Sequence, residues 1–280
     1  MPHRRPVLLS SLLFCSLLSA TALAGPREDA RVENASRVMS EIQAIPESAI
    51  PDKLLDEAKA IVVVPDTIKA GLVLGGRRGH GVMAVRNAEG GWSNPSFVTL
   101  TGGSIGLQVG VQSADVVLVF RGERGLDSIV NGKFTLGADA GVAAGPLGRN
   151  ASASTDGQMK AEIWSWSRAR GLFAGVALDG AVLSIDDRSN ESVYGQDTTP
   201  RMIFEDRAQH PPSAAVSAFR DLLIRASSDA RQRRNGPEGQ SASPASTSPS
   251  AEPLVQPQPF ETVEGGPQNP AKVEPLPETP

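Results

Sequence analysis

The chain has 280 residues, a formal net charge of -4 and only 4% aromatic residues, so a packed core must be built from Val, Leu, Ile and Ala. That charge draws it to neither nucleic acid nor an anionic membrane as a whole, and any such contact needs a local basic patch. The only cysteine, Cys15, lies in the first segment, which leaves the rest without a disulfide, a Cys metal site or a thiol nucleophile.

Residues 1–24 read as a secretory signal. Arg4 and Arg5 form a positive start, Val7 to Leu18 is apolar apart from Ser10, Ser11, Cys15 and Ser16, and Ala22-Leu23-Ala24 supplies small residues for cleavage between Ala24 and Gly25. The apolar stretch is shorter than the about 20 residues of a membrane span. Phe14 stands where a lipoprotein signal ending in Cys15 would carry a small residue. The expected address is the periplasm or cell envelope of a bacterium.

Residues 26–45 predict an amphipathic helix, with Val32, Ala35, Val38, Met39, Ile42 and Ile45 on one side and Pro46 as its stop. Its polar side mixes both signs, unlike the Lys/Arg-rich face of a membrane-surface helix. A second helix is expected from Pro51 to Ala60. Ile61 to Val64 reads as a buried strand ended by Pro65. Gly71 to Leu74 and Gly81 to Arg86 read as strands around a Gly75–Gly79 turn holding Arg77 and Arg78, and Asn87 to Gly91 as a hairpin turn.

Phe97 to Leu100 is the next expected strand. Gly106 to Asp115 (GLQVGVQSAD) reads as a strand-and-bend segment leading into the strand Val116–Phe120. Gly106 and Gly110 suit a sharp bend or close packing, and Gln108 and Asp115 suit hydrogen bonds to backbone there. No phosphate-loop string occurs, and these glycines do not open a helix.

Glu123 to Val130 is expected as a short helix, and Phe134 to Ala144 as a strand of small residues. Ala161 to Ser167 alternates, with Trp164, Trp166 and Arg168 on one face. Leu172–Leu178 and Ala181–Ile185 read as a strand pair joined through Asp179-Gly180. Pro200 to Phe204 leads into the next element. Ser213 to Ser227 predicts a final amphipathic helix with Ser213 as N-cap. Residues 229–280, rich in Ser, Pro, Gln and Glu, lack the apolar surface to offset ordering entropy and are expected to be disordered.

Catalytic chemistry finds little footing. His3 leaves with the signal, His80 sits between glycines and His210 precedes two prolines, with no paired-His spacing for a metal. No serine has a G-x-S-x-G context. Asp115 and Asp139 are a conceivable carboxylate pair, but each is better read as an acceptor for turn backbone. The sequence therefore assigns no catalytic residue, no metal and no cofactor.

Several strings together resemble the SYLF domain family, also called the Ysc84 family. They are Arg78-Gly79-His80-Gly81, Trp92-Ser93-Asn94-Pro95-Ser96-Phe97, Gly106-Leu107-Gln108-Val109-Gly110 with Asp115, Gly137-Ala138-Asp139, Ala144-Gly145-Pro146-Leu147-Gly148-Arg149, and Trp164 through Gly175. The resemblance runs from Val38 to Gly195. It implies a lipid-binding module, whose eukaryotic members are associated with phosphoinositide membranes and in some cases with actin. The SH3 domain that accompanies many eukaryotic members is not found in this sequence.

With lipid as the implied ligand, the basic residues Lys69, Arg77, Arg78, His80, Lys133, Arg149, Arg168 and Arg170 become candidates for holding an anionic head group, since guanidinium groups grip phosphate in a bidentate fork. The competing role for each is a solvated or carboxylate-paired strand end. The expectation is an α+β domain over residues 25–228, a curved antiparallel sheet or partial barrel packed by N-terminal helices and a C-terminal helix. Its expected function is non-enzymatic binding of anionic lipid or a membrane surface at the cell envelope. The rival reading is a structural or protein-interaction module that binds an envelope protein without lipid; no nucleic acid is expected.

Overall fold

The computed structural model describes residues 25–71, 74–105, 110–122, 124–130, 132–148, 161–169, 172–176 and 178–236. The expected signal peptide and most of the expected disordered tail lie outside the described residues.

Four long strands set the frame: β1 (Ala60–Gly71), β2 (Leu74–Val85), β3 (Ser96–Ile105) and β4 (Gly110–Phe120). Their inner halves are β-branched and apolar on both sides, as in Ala60-Ile61-Val62-Val63-Val64 and Val116-Val117-Leu118-Val119-Phe120, which suits strands covered on two faces. Shorter strands extend the sheet: β5 (Lys133–Thr135), β6 (Val142–Ala144), β7 (Ile163–Ala169), β8 (Leu172–Gly175) and β9 (Val182–Ile185). The order is β5-β9-β3-β2-β1-β4-β7-β6, with β8 also on β7. All pairings are antiparallel except β6 with β7, so the curved partial barrel is a mixed sheet.

Helices α1 (Pro26–Ala44), α2 (Asp52–Glu57) and α6 (Ala214–Asn235) cover one face. There Val32, Val38, Met39, Ile42, Leu54, Leu55, Phe219 and Leu223 pack with Ile61, Val63, Val82, Val117, Val119, Trp164 and Trp166. The alternate residues of the same strands, Val62, Val64, Met83, Val98, Leu100, Leu118, Phe120 and Ile163, form a second core with α3 (Arg124–Val130), Phe134, Leu136 and Leu183. The sheet thus separates a helix face from an opposite face, and each strand feeds both cores through its two-residue period.

Several sequence expectations are corrected. Pro65 does not end its strand: β1 runs on to Gly71 across an irregularity between Val64 and Thr67, where Asp66 takes φ 47° and donates its N–H to Asp115 Oδ1 at 3.0 Å. The Gly75–Gly79 turn is strand β2, with Gly75, Gly76, Arg77 and Arg78 paired to both neighbours. Two of its glycines answer to close approach instead: a Cβ on Gly79 would overlap the Thr67 and Val64 side chains, and one on Gly81 the Val63 carbonyl oxygen. Phe134–Ala144 is two short strands, β5 on β9 and β6 on β7, separated by a turn with Gly137 at φ 87°. β8 and β9 do not pair with one another; β8 joins β7, and β9 lies between β3 and β5.

Helix α4 (Asp187–Tyr194) was not expected, because Asp187 to Ser192 is polar throughout. Polar contacts hold it: Asp186 caps it by accepting from Ser189 N–H, and the buried Asn190 accepts from Phe97 N–H at 2.7 Å. Helix α5 (Pro200–Phe204) follows, capped by Thr199. Helix α6 begins at the expected Ser213 cap but continues to Asn235, past the Ser228 boundary. Arg233 grips Asp52 of α2 through two bonds of 2.8 Å, and Arg231 and Arg234 hold Asp56, so charge pairing carries the helix beyond its apolar stretch.

The Gly81 contact is testable against a neighbour. Gly81→Ala is expected to cost about 2–3 kcal/mol of unfolding free energy through forced strand separation. Gly103→Ala, with nothing within 4 Å of its Cβ, should stay within about 0.5 kcal/mol of wild type. Urea unfolding of the two variants measures both.

Candidate functional site

Consecutive residues of a strand face opposite ways, and this divides the candidate cations. Arg77 and Arg78 cannot both reach one head group, as a shared turn would have allowed. Register places Arg78 on the helix face, in a row with Ile68 and Ser113 on one side and Thr101 and Val182 on the other, ending at Thr135 of β5. The next row inward on the same face holds His80, Thr99, Ser184 and Lys133. Three of the candidates, Arg78, His80 and Lys133, therefore stand around the hydroxyls of Thr99, Thr101 and Ser184. Lys133 and His80 lie three strand spacings apart, about 14 Å between backbones, so side chains from both ends can reach inward over the hydroxyl residues.

This shelf is polar but open. Arg78 and Lys133 are exposed, and neither forms an ion pair among the described residues. Thr101 Oγ1 donates to Val182 O and Ser184 Oγ to Thr99 O, each at 3.5 Å, the outer limit of a hydrogen bond. At the inner end His80 Nδ1 lies 3.3 Å from Thr99 Oγ1 and 3.5 Å from Asp186 Oδ2. Burial lowers the His80 pKa, and Arg31 and Arg78 lower it further against the opposing pull of Asp186, so the imidazole is neutral at pH 7. Burial pushes Asp186 up, but hydrogen bonds from Ser189 and Arg31 outweigh it and hold the carboxyl below its usual range. Arg31 Nη1 meets Asp186 Oδ2 at 3.0 Å, so this carboxylate already has a cation of its own.

Lys69 and Arg77 face the other way. They are direct cross-strand partners, flanked by Gln112 and Gly102. Arg77 is half-buried, its Nε without a hydrogen-bond partner among the described residues, and burial lowers its pKa.

Arg168 is committed to structure. Its guanidinium bonds Asp115 Oδ2 through Nε at 2.8 Å and Nη2 at 2.5 Å, pairs with Glu41 of α1, and lies 5.2 Å over the Phe173 ring. Asp115 also accepts from Asp66 N–H, and burial raises its pKa. Asp139 accepts from Thr135 N–H at 2.6 Å in its own turn. Each aspartate thus accepts from backbone; Asp115 sits on β4 and Asp139 in the turn after β5, with no carboxylate pair formed. Gly110 opens β4 opposite Gly71. Arg149, Arg170, Gly106 and Gln108 lie outside the described residues. Among the described residues no three His, Cys, Asp or Glu side chains gather as metal ligands, and no helix is long and apolar enough to cross a membrane.

Sequence reasoning passed over Thr99, Thr101, Ser184 and Asp186. Their signal was polar residues at every second position of otherwise apolar strands, as in Val98-Thr99-Leu100-Thr101 and Val182-Leu183-Ser184-Ile185.

Residues 101–226 match the family described as Ysc84, Las17-binding protein actin regulator. The chain is similar to Protein YSC84 of Saccharomyces cerevisiae, 36% identical over 173 residues that cover 60% of this chain and 36% of that protein. It is similar to LAS seventeen-binding protein 3 of the same yeast, 34% identical over 183 residues covering 64% of this chain and 39% of that protein. The human SH3 domain-containing YSC84-like protein 1 is 32% identical over 171 residues, covering 59% of this chain and 50% of that protein. The chain therefore spans half or less of the length of these relatives.

Structural and free cations are separable by mutation. Arg168→Ala leaves Asp115 buried without its partner and is expected to cost about 3 kcal/mol. Arg78→Ala and Lys133→Ala should change stability by no more than about 0.5 kcal/mol. Thermal unfolding followed by circular dichroism distinguishes them.

Proposed function

Because the chain belongs to the SYLF (Ysc84) domain family, we propose that it is a non-enzymatic binding module for anionic phospholipid, or a lipid-like anion, at a bacterial envelope membrane. The observation that carries this reading is the helix-face shelf, where Arg78, Lys133 and His80 surround the hydroxyls of Thr99, Thr101 and Ser184 beside the exposed Ile68. A phosphate there would take charge-assisted hydrogen bonds from Arg78 and Lys133 and O–H donors from the three hydroxyl residues. Ile68, Arg78's neighbour across β1 and β2, offers apolar surface for the first part of an acyl chain.

The work of each group follows from its chemistry. Arg78 supplies a planar fork for two phosphate oxygens, and Lys133 a point charge from the far side. Ser184 and Thr101 reorient hydroxyls that now hold only long bonds. His80 stays neutral at pH 7 and gains charge as pH falls. Arg31 keeps Asp186 from repelling the anion. No group here needs to break or form a covalent bond.

A second reading rests on the relatives. One is named LAS seventeen-binding protein 3, and the matched family is described as a Las17-binding actin regulator. By analogy this chain is a protein-interaction module, with an envelope protein as its partner. Lipid dependence separates the two readings.

Vesicle cosedimentation of the full chain tests the first. Vesicles of phosphatidylcholine with phosphatidic acid should bind it, and Arg78→Ala/Lys133→Ala should bind about tenfold less for the loss of two charge-assisted contacts. Absence of binding to every anionic mixture would overturn the reading. The pH dependence has a defined sign: protonation of His80 adds a positive charge, and its lowered pKa places the rise in binding below about pH 6.5, the ordinary imidazole value. His80→Gln should flatten that rise. The proposed export is checked separately by the mass of the chain recovered from a bacterial envelope fraction, which should begin at Gly25.

A further inference from the structure

The outer ends of β1 to β4 run past the rest of the sheet. β9 accompanies β3 only to Thr101, and β7 accompanies β4 only from Asp115 inward. Beyond those points the four strands continue together, Gly71 opposite Gly75 and Gly110, and Leu74 opposite Ile105. Gly110 to Asp115, the described part of a stretch prominent in the sequence, supplies the β4 strand of this end.

Its surface differs from that of an ordinary sheet end. Val111 is 75% exposed and Ile68 52% exposed, two of the five large apolar side chains that are exposed among the described residues. They are diagonal neighbours on adjacent strands of the helix face: Ile68 stands opposite Ser113, and Val111 opposite the exposed Ala70. No charged residue occurs from Ala70 to Gly76 or from Thr101 to Ala114, in a chain that is 21% charged. The charges resume at the base of this end, and Lys69, Arg77 and Arg78 are all positive. The first carboxylate along β4, Asp115, is held by Arg168.

Uncharged apolar surface above a cationic collar matches the interface of an anionic bilayer, where the collar meets phosphates and the apolar end meets hydrocarbon. From the Arg78 row to the Gly71 end is three residues, about 10 Å, the depth to which interfacial elements bury apolar surface. A second copy of this chain fits poorly, since docking end to end would set the collar against its own like charges.

We propose that this strand end is a membrane-penetrating wedge, with Ile68, Ala70 and Val111 entering the hydrocarbon boundary while Lys69 and Arg78 hold the phosphate level. The proposal rests on the lipid reading above and adds how the molecule sits: β1 to β4 point into the bilayer, and the shelf lies at head-group depth. The helices α2 and α6 face away from the membrane.

The test uses the full chain and vesicles of phosphatidylcholine and phosphatidic acid, with and without bromine on the acyl chains. Val111→Trp should shift its emission to the blue and be quenched by brominated lipid. Ile224→Trp, at an exposed position on α6, should show neither. Native Trp92, Trp164 and Trp166 are buried and set the background. Ile68→Glu/Val111→Glu, both at exposed sites, should keep its circular dichroism and lose about tenfold in vesicle partitioning. Sedimentation with vesicles but no quenching of Val111→Trp would overturn the wedge and leave the lipid reading standing. No sedimentation with vesicles would overturn both.

Discussion

The two-residue period of the strands, acting in a sheet that is buried on both faces, governs the rest of this molecule. Over the inner halves of β1, β2 and β4 each residue must be apolar whichever way it points, and one set packs under α1, α2 and α6 while the other packs on α3 and β5. A slip of one residue would exchange the two sets, so register is set by shape rather than by polarity. Gly81 admits the backbone of β1, and Gly79 the side chains of Val64 and Thr67, where β1 kinks at Asp66, and that kink is pinned by Asp115. Further out along the same strands the cover ends, and the same alternation sorts the candidate binding side chains instead: Arg78 and His80 to the helix face, Lys69 and Arg77 to the other.

Charge pairs then fasten helices to sheet. Arg168 links Asp115 to Glu41 of α1, Arg31 links α1 to the cap of α4, and Arg233 and Arg234 tie α6 to α2. These pairs occupy Arg31, Arg168, Arg233 and Arg234, and so make Arg78 and Lys133, which form no ion pair among the described residues, informative. Surface cations near hydroxyls are common, but here they share one face of six neighbouring strands, β5-β9-β3-β2-β1-β4, with the exposed Ile68 and Val111.

Much of this was legible in the sequence. The amphipathic helices α1 and α6, the Ser213 cap, the Asn87–Gly91 turn and the paired tryptophans of β7 follow from local periodicity and turn chemistry. What was lost concerns non-local pairing. Glycine in Gly75–Gly79 has the same local signature in a turn as in a strand pressed against a kinked neighbour, so local sequence alone puts Arg77 and Arg78 together. Lys133 and Ser184 meet only because β9 crosses between β3 and β5, and no spacing rule reaches across that distance. Arg168 was read as a ligand candidate because its carboxylates are 53 and 127 residues away.

In the proposed lipid reading, an anionic lipid is met by the helix face and the outer ends of β1 to β4. Hydrogen–deuterium exchange of the full chain, with anionic vesicles against neutral ones, tests it most directly. Lipid contact there slows exchange only in segments around Ile68–Arg78, Thr99–Ile105, Gly110–Ser113 and the short strands bearing Lys133 and Ser184, with α2 and α6 unchanged. Protection that maps to α2 and α6, or no difference between the two vesicle types, would contradict it.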